Sequence, residues 1–294
     1  MKYFILKNQL LRVFIYCLLF FAAFPAKGAT LYFSPSGGEY NQQDVFISDA
    51  RINTKGESVN ALEIKISFNA GQLEVVDISK GDSVLKLWAQ DPVYSNNTGE
   101  VSFTGGIPGG FEGDGKLVSI IFRAILPGSA AISFQDGSKI LLNDGQGTLA
   151  KITGEKSKIF LSQRTGQASN EWQKQIENDT VKPEPFEIKI SKDPDLFGGK
   201  YFISFFTGDK QTGIDYYEIK EGAGDWERGV SPYLLKDQTL INKILVKAVD
   251  KAKNERISEA MPQENRLLIP IILIAAGSVI LFLMAYRKFK KKIR

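Results

Sequence analysis

Val59–Ile78 reads VNALEIKISFNAGQLEVVDI, and the periodicity of this stretch decides the fold class. Leu62, Ile64, Ile66 and Phe68 alternate with Glu63, Lys65 and Ser67. Successive side chains of a strand point to opposite sides, so this run has one apolar and one polar face. Asn69-Ala70-Gly71 interrupts it, and Leu73–Ile78 opens a second β-rich segment. A strand with one dry face must lay that face on another sheet. The expectation is an all-β sandwich whose wet face is free to bind.

The flanking sequence supplies the partners. Strands are expected at Thr30–Ser34, Asp44–Asn53, Ala61–Phe68, Leu73–Ser79, Val84–Gln90, Glu100–Gly105, Lys116–Ala124, Ala130–Phe134 and Lys139–Asn143, separated by turns rich in Gly, Asn and Asp. Short strands at this spacing indicate a sandwich, here placed at residues 29–162. Val118, Ile120, Phe122 and Ala124 repeat the alternation, with Ser119 and Arg123 expected to face water. Gly105–Gly115 holds six glycines and a proline, too many for a strand interior. It is read either as a binding loop with Phe111 at its tip or as a connection with Phe111 folded back on the core.

The segments LYFSPSGGEY, VNALEIKISF…LEVVDISKGDS, GGIPGGFEGDGKLVSIIFRA and LLNDGQGT, in this order, resemble a cohesin domain, of jelly-roll type, across about 120 residues. Where cellulosomal cohesins tend to carry Tyr-Asp-Pro after the alternating strand, this chain has Phe68-Asn69-Ala70. The resemblance implies a module that captures a dockerin-type or other extracellular protein across one flat face of the sandwich. Carried over through the aligned strands, that face comprises Glu63, Lys65, Ser67, Ser102 and Thr104, bordered by Trp88 and Gln90. Trp88 is equally at home at an interface, where aromatics are enriched, and in a core.

Residues 1–28 begin with Lys2, Lys7 and Arg12, continue through an apolar run and end in Ala26-Lys27-Gly28. This is the pattern of a secretory signal peptide, an uncleaved N-terminal anchor being the alternative. Residues 163–184 are polar without a sustained period and read as a linker, with a helical turn conceivable at Glu171–Glu177. The segments GIDYYEIKEG and ILVKAVDKAKNE resemble bacterial Ig-like or fibronectin-type modules, giving a second, smaller sandwich at residues 185–257 that serves as a spacer. Trp226, Tyr216 and Tyr217 form either its core or an aromatic platform. A juxtamembrane spacer, residues 258–266, precedes Leu267–Tyr286, which are 20 residues without a charge. That is enough for about 30 Å of helix, one bilayer core. The basic tail 287–294 is expected to stay in the cytoplasm, so the chain is expected in the cell membrane, single-pass, with its bulk outside.

The overall charge of +4 reflects the two ends, because residues 29–265 carry 26 bases against 33 acids. That balance disfavours nucleic acid as a partner. With no histidine, and Cys17 inside the leader, the exported part has no Ser-His-Asp or Cys-His catalysis and no His or Cys zinc site. No carboxylate pair stands in a glycosidase context, so no enzyme activity is expected. No cofactor is expected either. Calcium could be taken by oxygens at Asn143-Asp144 or Asp193–Asp195, but no run has the spacing of a dedicated calcium loop.

The leading reading is a membrane-anchored cell-surface binding protein. The alternatives are direct binding of polysaccharide, for which Trp88, Tyr94 and Phe111 are the available aromatics of the first domain, and a structural or adhesion protein built of two spacers.

Overall fold

A computed structural model describes residues 28–261. The expected signal peptide apart from Gly28, the charge-free stretch Leu267–Tyr286 and the basic tail lie outside the described residues, among which no helix is long and apolar enough to cross a membrane.

The first unit contains, in chain order, β1 (Ala29–Ser34), β2 (Gly37–Asn41), β3 (Val45–Asn53), β4 (Val59–Phe68), β5 (Leu73–Ser79), β6 (Leu87–Ser95), β7 (Glu100–Phe111), β8 (Asp114–Ala124), β9 (Gly128–Phe134), β10 (Lys139–Leu142), β11 (Ile152–Gly154) and β12 (Lys156–Ser162). One sheet has the order β11-β1-β3-β8-β5, the other β2-β12-β9-β4-β7-β6, with β10 also paired to β4. The alternation in β4 does what the sequence requires: Leu62, Ile64, Ile66 and Phe68 are buried, while Glu63, Lys65 and Ser67 stay half-buried on the other side. They meet Val101, Phe103 and Ile107 of β7 and Phe46, Ile52, Ile120 and Phe122 of the facing sheet. Phe122 packs edge-on to Phe68, with ring centroids 5.4 Å apart, the geometry favoured by the aromatic quadrupole.

One edge of β4 is shared by two strands, β9 along Ile66–Phe68 and β10 along Val59–Glu63. The break between them falls at Lys65. There Ser138 repairs the ladder: its Oγ accepts from the Lys65 backbone N–H at 3.0 Å. A buried backbone group left unpaired would cost about as much as a lost hydrogen bond, so the serine keeps the sheet closed under the Lys65 side chain.

Four expectations need correction. The Gly-rich segment is largely strand, not loop: β7 runs on to Phe111, turning at Gly109 and Gly110, whose φ of +85° and +83° explain the glycines. Phe111 lies half-buried against the core. Ser119 does not face water. It is 2% exposed and donates to Asp49 at 2.6 Å. β6 starts three residues later than expected and extends to Ser95, with register shifts after Trp88 and Gln90. Such irregularity, with Pro92 in the strand, suits an edge that must not template further pairing. Finally, residues 163–184 are not a plain linker.

They contain α1 (Glu171–Asn178), capped by Asn170, whose Oδ1 accepts from the Gln173 N–H at 2.9 Å. A side-chain oxygen at this position satisfies an orphan donor of the first turn. Trp172 is 7% exposed and packs on Val45 and Ile121. The helix therefore covers the outer side of the first sheet, which is why Ile121 is apolar where strict alternation would put a polar residue.

The second unit contains β13 (Ile188–Lys192), β14 (Tyr201–Phe205), β15 (Ile214–Glu221), β16 (Glu227–Gly229), β17 (Tyr233–Leu234), β18 (Ile244–Asp250) and β19 (Glu255–Ala260). They form the sheets β13-β14-β17 and β16-β15-β18-β19, closed over Ile203, Phe205, Ile219, Leu235 and Val246. Tyr217 packs edge-on to Phe205, ring centroids 5.0 Å apart, and burial pushes its phenol up to about 12. Tyr216, one residue away, lies under the Arg228 guanidinium at 3.9 Å. The aromatic platform of Trp226, Tyr216 and Tyr217 is thus not formed, because alternation along β15 separates the two tyrosines.

The units touch directly. The Ser79 hydroxyl donates to the Thr212 carbonyl at 2.6 Å, and the Asp82 N–H to the Asp209 carbonyl at 2.9 Å. Gly81 lies so close to the Gln211 carbonyl oxygen that a Cβ would collide with it.

Candidate functional site

The surface built from the alternation of β4 is the outer face of the second sheet. Register places Glu63 opposite Thr104 and Lys65 opposite Ser102. Gln90 on β6 stands opposite Thr104. Ser67 faces Ser133 of β9, with the hydroxyl oxygens 3.1 Å apart. Six of the expected residues, Glu63, Lys65, Ser67, Gln90, Ser102 and Thr104, therefore share one face.

Charge is organised around Glu63. Its carboxylate pairs with Lys65 and with Lys139 of β10, each at 3.1 Å. Hydrogen bonds from Lys65 first and Lys139 second hold the carboxyl below its ordinary range. Glu63 is thus an anion held between two cations at the centre of this face. Exposed ion pairs of this kind contribute little to stability, so these charges remain available for a partner's complementary groups.

Trp88 does not belong to this face. It stands opposite Gly105, on the inward side of β7, and its ring lies 6.0 Å from that of Phe103. Lys80 Nζ caps it at 5.3 Å. Leu87 takes the outward position instead, opposite Gly106, and is 57% exposed. The bulges in β6 shift its facing, which no local pattern announces. With Trp88 and Phe111 both against the core, the three aromatics considered for sugar stacking form no exposed row.

Three surface features escaped the sequence reading. Leu87 and Val93 give the face an apolar rim along β6, and Lys139 a second cation; β10 was expected, but not its place beside β4. A cleft of about 930 Å³ opens between the units, lined by Lys80, Trp88 and Asp91 on one side and Phe206, Tyr216 and Arg228 on the other. It depends on the docking of two units and has no signature in either alone.

The turns at Asn143-Asp144 and Asp193–Asp195 are closed by their own backbones: Asp144 accepts from the Gln146 N–H and Asp193 from the Asp195 N–H. A group of three close, buried acidic side chains lies elsewhere, at Asp179, Asp209 and Asp250.

No protein-family model and no curated protein matches the chain. Among solved structures it is similar to a non-cellulosomal cohesin from the hyperthermophilic archaeon Archaeoglobus fulgidus, with 21% identity over 46% of this chain and 91% of that one, at a TM-score of 0.39. It is also similar to the cohesin CaCohA2 from Clostridium acetobutylicum, with 18% identity over 47% of this chain and 92% of that one, at 0.38. A third is a type I cohesin–dockerin complex from Clostridium thermocellum, with 12% identity over 46% of this chain and 99% of that one, at 0.38. All three are cohesin structures, and it is to these that the chain is similar.

Proposed function

We propose that the first unit is a cohesin-type docking module that binds a dockerin-class protein through the outer face of β4, β7 and β6. The observation that carries this reading is the convergence of Glu63, Lys65, Ser67, Gln90, Ser102 and Thr104 on one face, rimmed by exposed Leu87 and Val93. A flat polar centre beside an apolar edge offers both the area and the register-setting charges that protein partners use. The partner class follows from the sequence resemblance. In this reading the protein is held at the cell surface by the apolar stretch Leu267–Tyr286 after removal of the leader, and the second unit spaces the docking face from the membrane.

The test is binding of the full chain to a panel of dockerin modules from the source organism, measured by biolayer interferometry, beside a Glu63→Ala/Lys65→Ala/Thr104→Ala variant. The expected outcome is saturable binding to at least one dockerin, weakened about tenfold or more in the variant, with an unchanged unfolding transition. Equal binding by both proteins would move the site off this face. Retention on insoluble cellulose without any dockerin binding would favour the polysaccharide reading.

A further inference from the structure

Asp179 follows α1, Asp209 sits in the turn after β14, and Asp250 ends β18. Their side chains are 5%, 3% and 0% exposed, and one carboxylate oxygen from each lies within 4.8 Å of the other two. None of the three forms an ion pair among the described residues. Neutral donors hold them in place. Asp179 accepts from the Thr212 hydroxyl at 2.6 Å and the Val181 N–H at 2.9 Å. Asp209 Oδ1 accepts from the N–H groups of Gln211 and Gly213, both at 2.9 Å. Asp250 accepts from the backbone and side-chain N–H groups of Asn254 at 2.8 and 2.9 Å. Asp209 Oδ2, buried, has no partner.

A buried charge must be paired, coordinate a metal or be discharged. Here three acids converge, oriented by donors that bond to carboxylates but do not neutralise them, and one oxygen of the group is left without a donor. This is the signature of mutual repulsion that a cation relieves. The ligand atoms on offer are all carboxylate oxygens, which suits a hard ion, and three carboxylates on separate, adjustable segments suit calcium better than magnesium, with its strict octahedral demand.

We propose that Asp179, Asp209 and Asp250 bind a calcium ion that locks the joint between the two units. The site ties the exit of α1 to the Thr207–Gly213 turn and the end of β18. That same turn bonds the first sandwich through Asp209 and Thr212. Ordering it therefore fixes how the units are held.

The experiment is calorimetric titration of the EGTA-stripped full chain with CaCl2, with MgCl2 as a separate arm, and thermal unfolding of the wild type and Asp209→Asn in each condition. Asparagine keeps the acceptor for Gln211 and Gly213 but removes a charge. The expected result is one calcium per chain and a Tm rise of roughly 5–10 °C at a hundredfold excess over Kd. In the variant, affinity falls about tenfold or more, and in EGTA its Tm equals or exceeds that of the wild type because repulsion is relieved. Absence of both heat and Tm shift, or calcium affinity unchanged in Asp209→Asn, overturns the site. A variant less stable than the wild type in EGTA also overturns it, since the carboxylates would then be stabilising without an ion. Magnesium giving the same shift at the same concentration overturns the choice of calcium.

Discussion

Lys251 Nζ reaches across the joint to both carboxylate oxygens of Asp77, each at 2.8 Å. The two residues are 174 positions apart, one on β5 and the other just past β18, and both side chains are partly shielded from water. A two-pronged, half-shielded ion pair is worth more than an open surface pair, whose median contribution is at most about 1 kcal/mol.

A double-mutant cycle with Asp77→Ala and Lys251→Ala, read by urea unfolding, is therefore expected to give a coupling of about 1 kcal/mol. The coupling should shrink as salt rises from 0.1 M towards about 1 M, where the Debye length falls to roughly 3 Å. Zero coupling at low salt would mean that the units are held together without this pair.

Trp172→Ala should undock α1. Removing a buried tryptophan costs roughly 3–5 kcal/mol where the site cannot collapse, and the indole packs on Val45 and Ile121. Hydrogen exchange should show protection lost at residues 171–178, with that of β4 and β7 unchanged. Continued protection of the helix would show that its cap and the Glu171 carboxylate, which accepts from the Ile47 N–H at 3.0 Å, suffice to hold it.

Glu63 should respond to the loss of either lysine. Its carboxyl is depressed by Lys65 and Lys139, so any stability it contributes is present above the unfolded carboxylate value of about 4.3. That contribution is lost as pH falls through the lower folded value, because the unfolded chain binds the proton first. Lys139→Ala is expected to move the Glu63 pKa back up towards its ordinary range, as followed by carboxyl carbon chemical shifts. An unmoved titration would show that Lys139 is solvated rather than paired.

The alternation in β4 was legible because it is local: six residues suffice to say which side of a strand is dry, and the core and outer face follow. Alternation put Ser67 on that face; the cohesin resemblance, carried over through the aligned strands, added Ser102 and Thr104, and the register of β4 with β7 brings them together. The same reading misplaced Trp88, since a bulge in β6 changes facing without changing composition. It misplaced Ser119, whose hydroxyl is taken up by Asp49 of the neighbouring strand, a pairing that the local pattern of β8 does not announce. The glycines of β7 argued against a strand, yet only Gly109 and Gly110 turn the chain, while Gly105 makes room for the Leu85 side chain and the Leu87 carbonyl.

The sequence by itself determined the β class, the apolar sides of the principal strands and the polar face of β4, because each depends on a period of two within one strand. Tertiary structure alone decided the joint. Asp179, Asp209 and Asp250 are 30 and 41 positions apart, and each in isolation is an ordinary turn or strand-end aspartate. Only the packing of α1 and two strand ends brings them within 4.8 Å and strips away the water that would otherwise screen them.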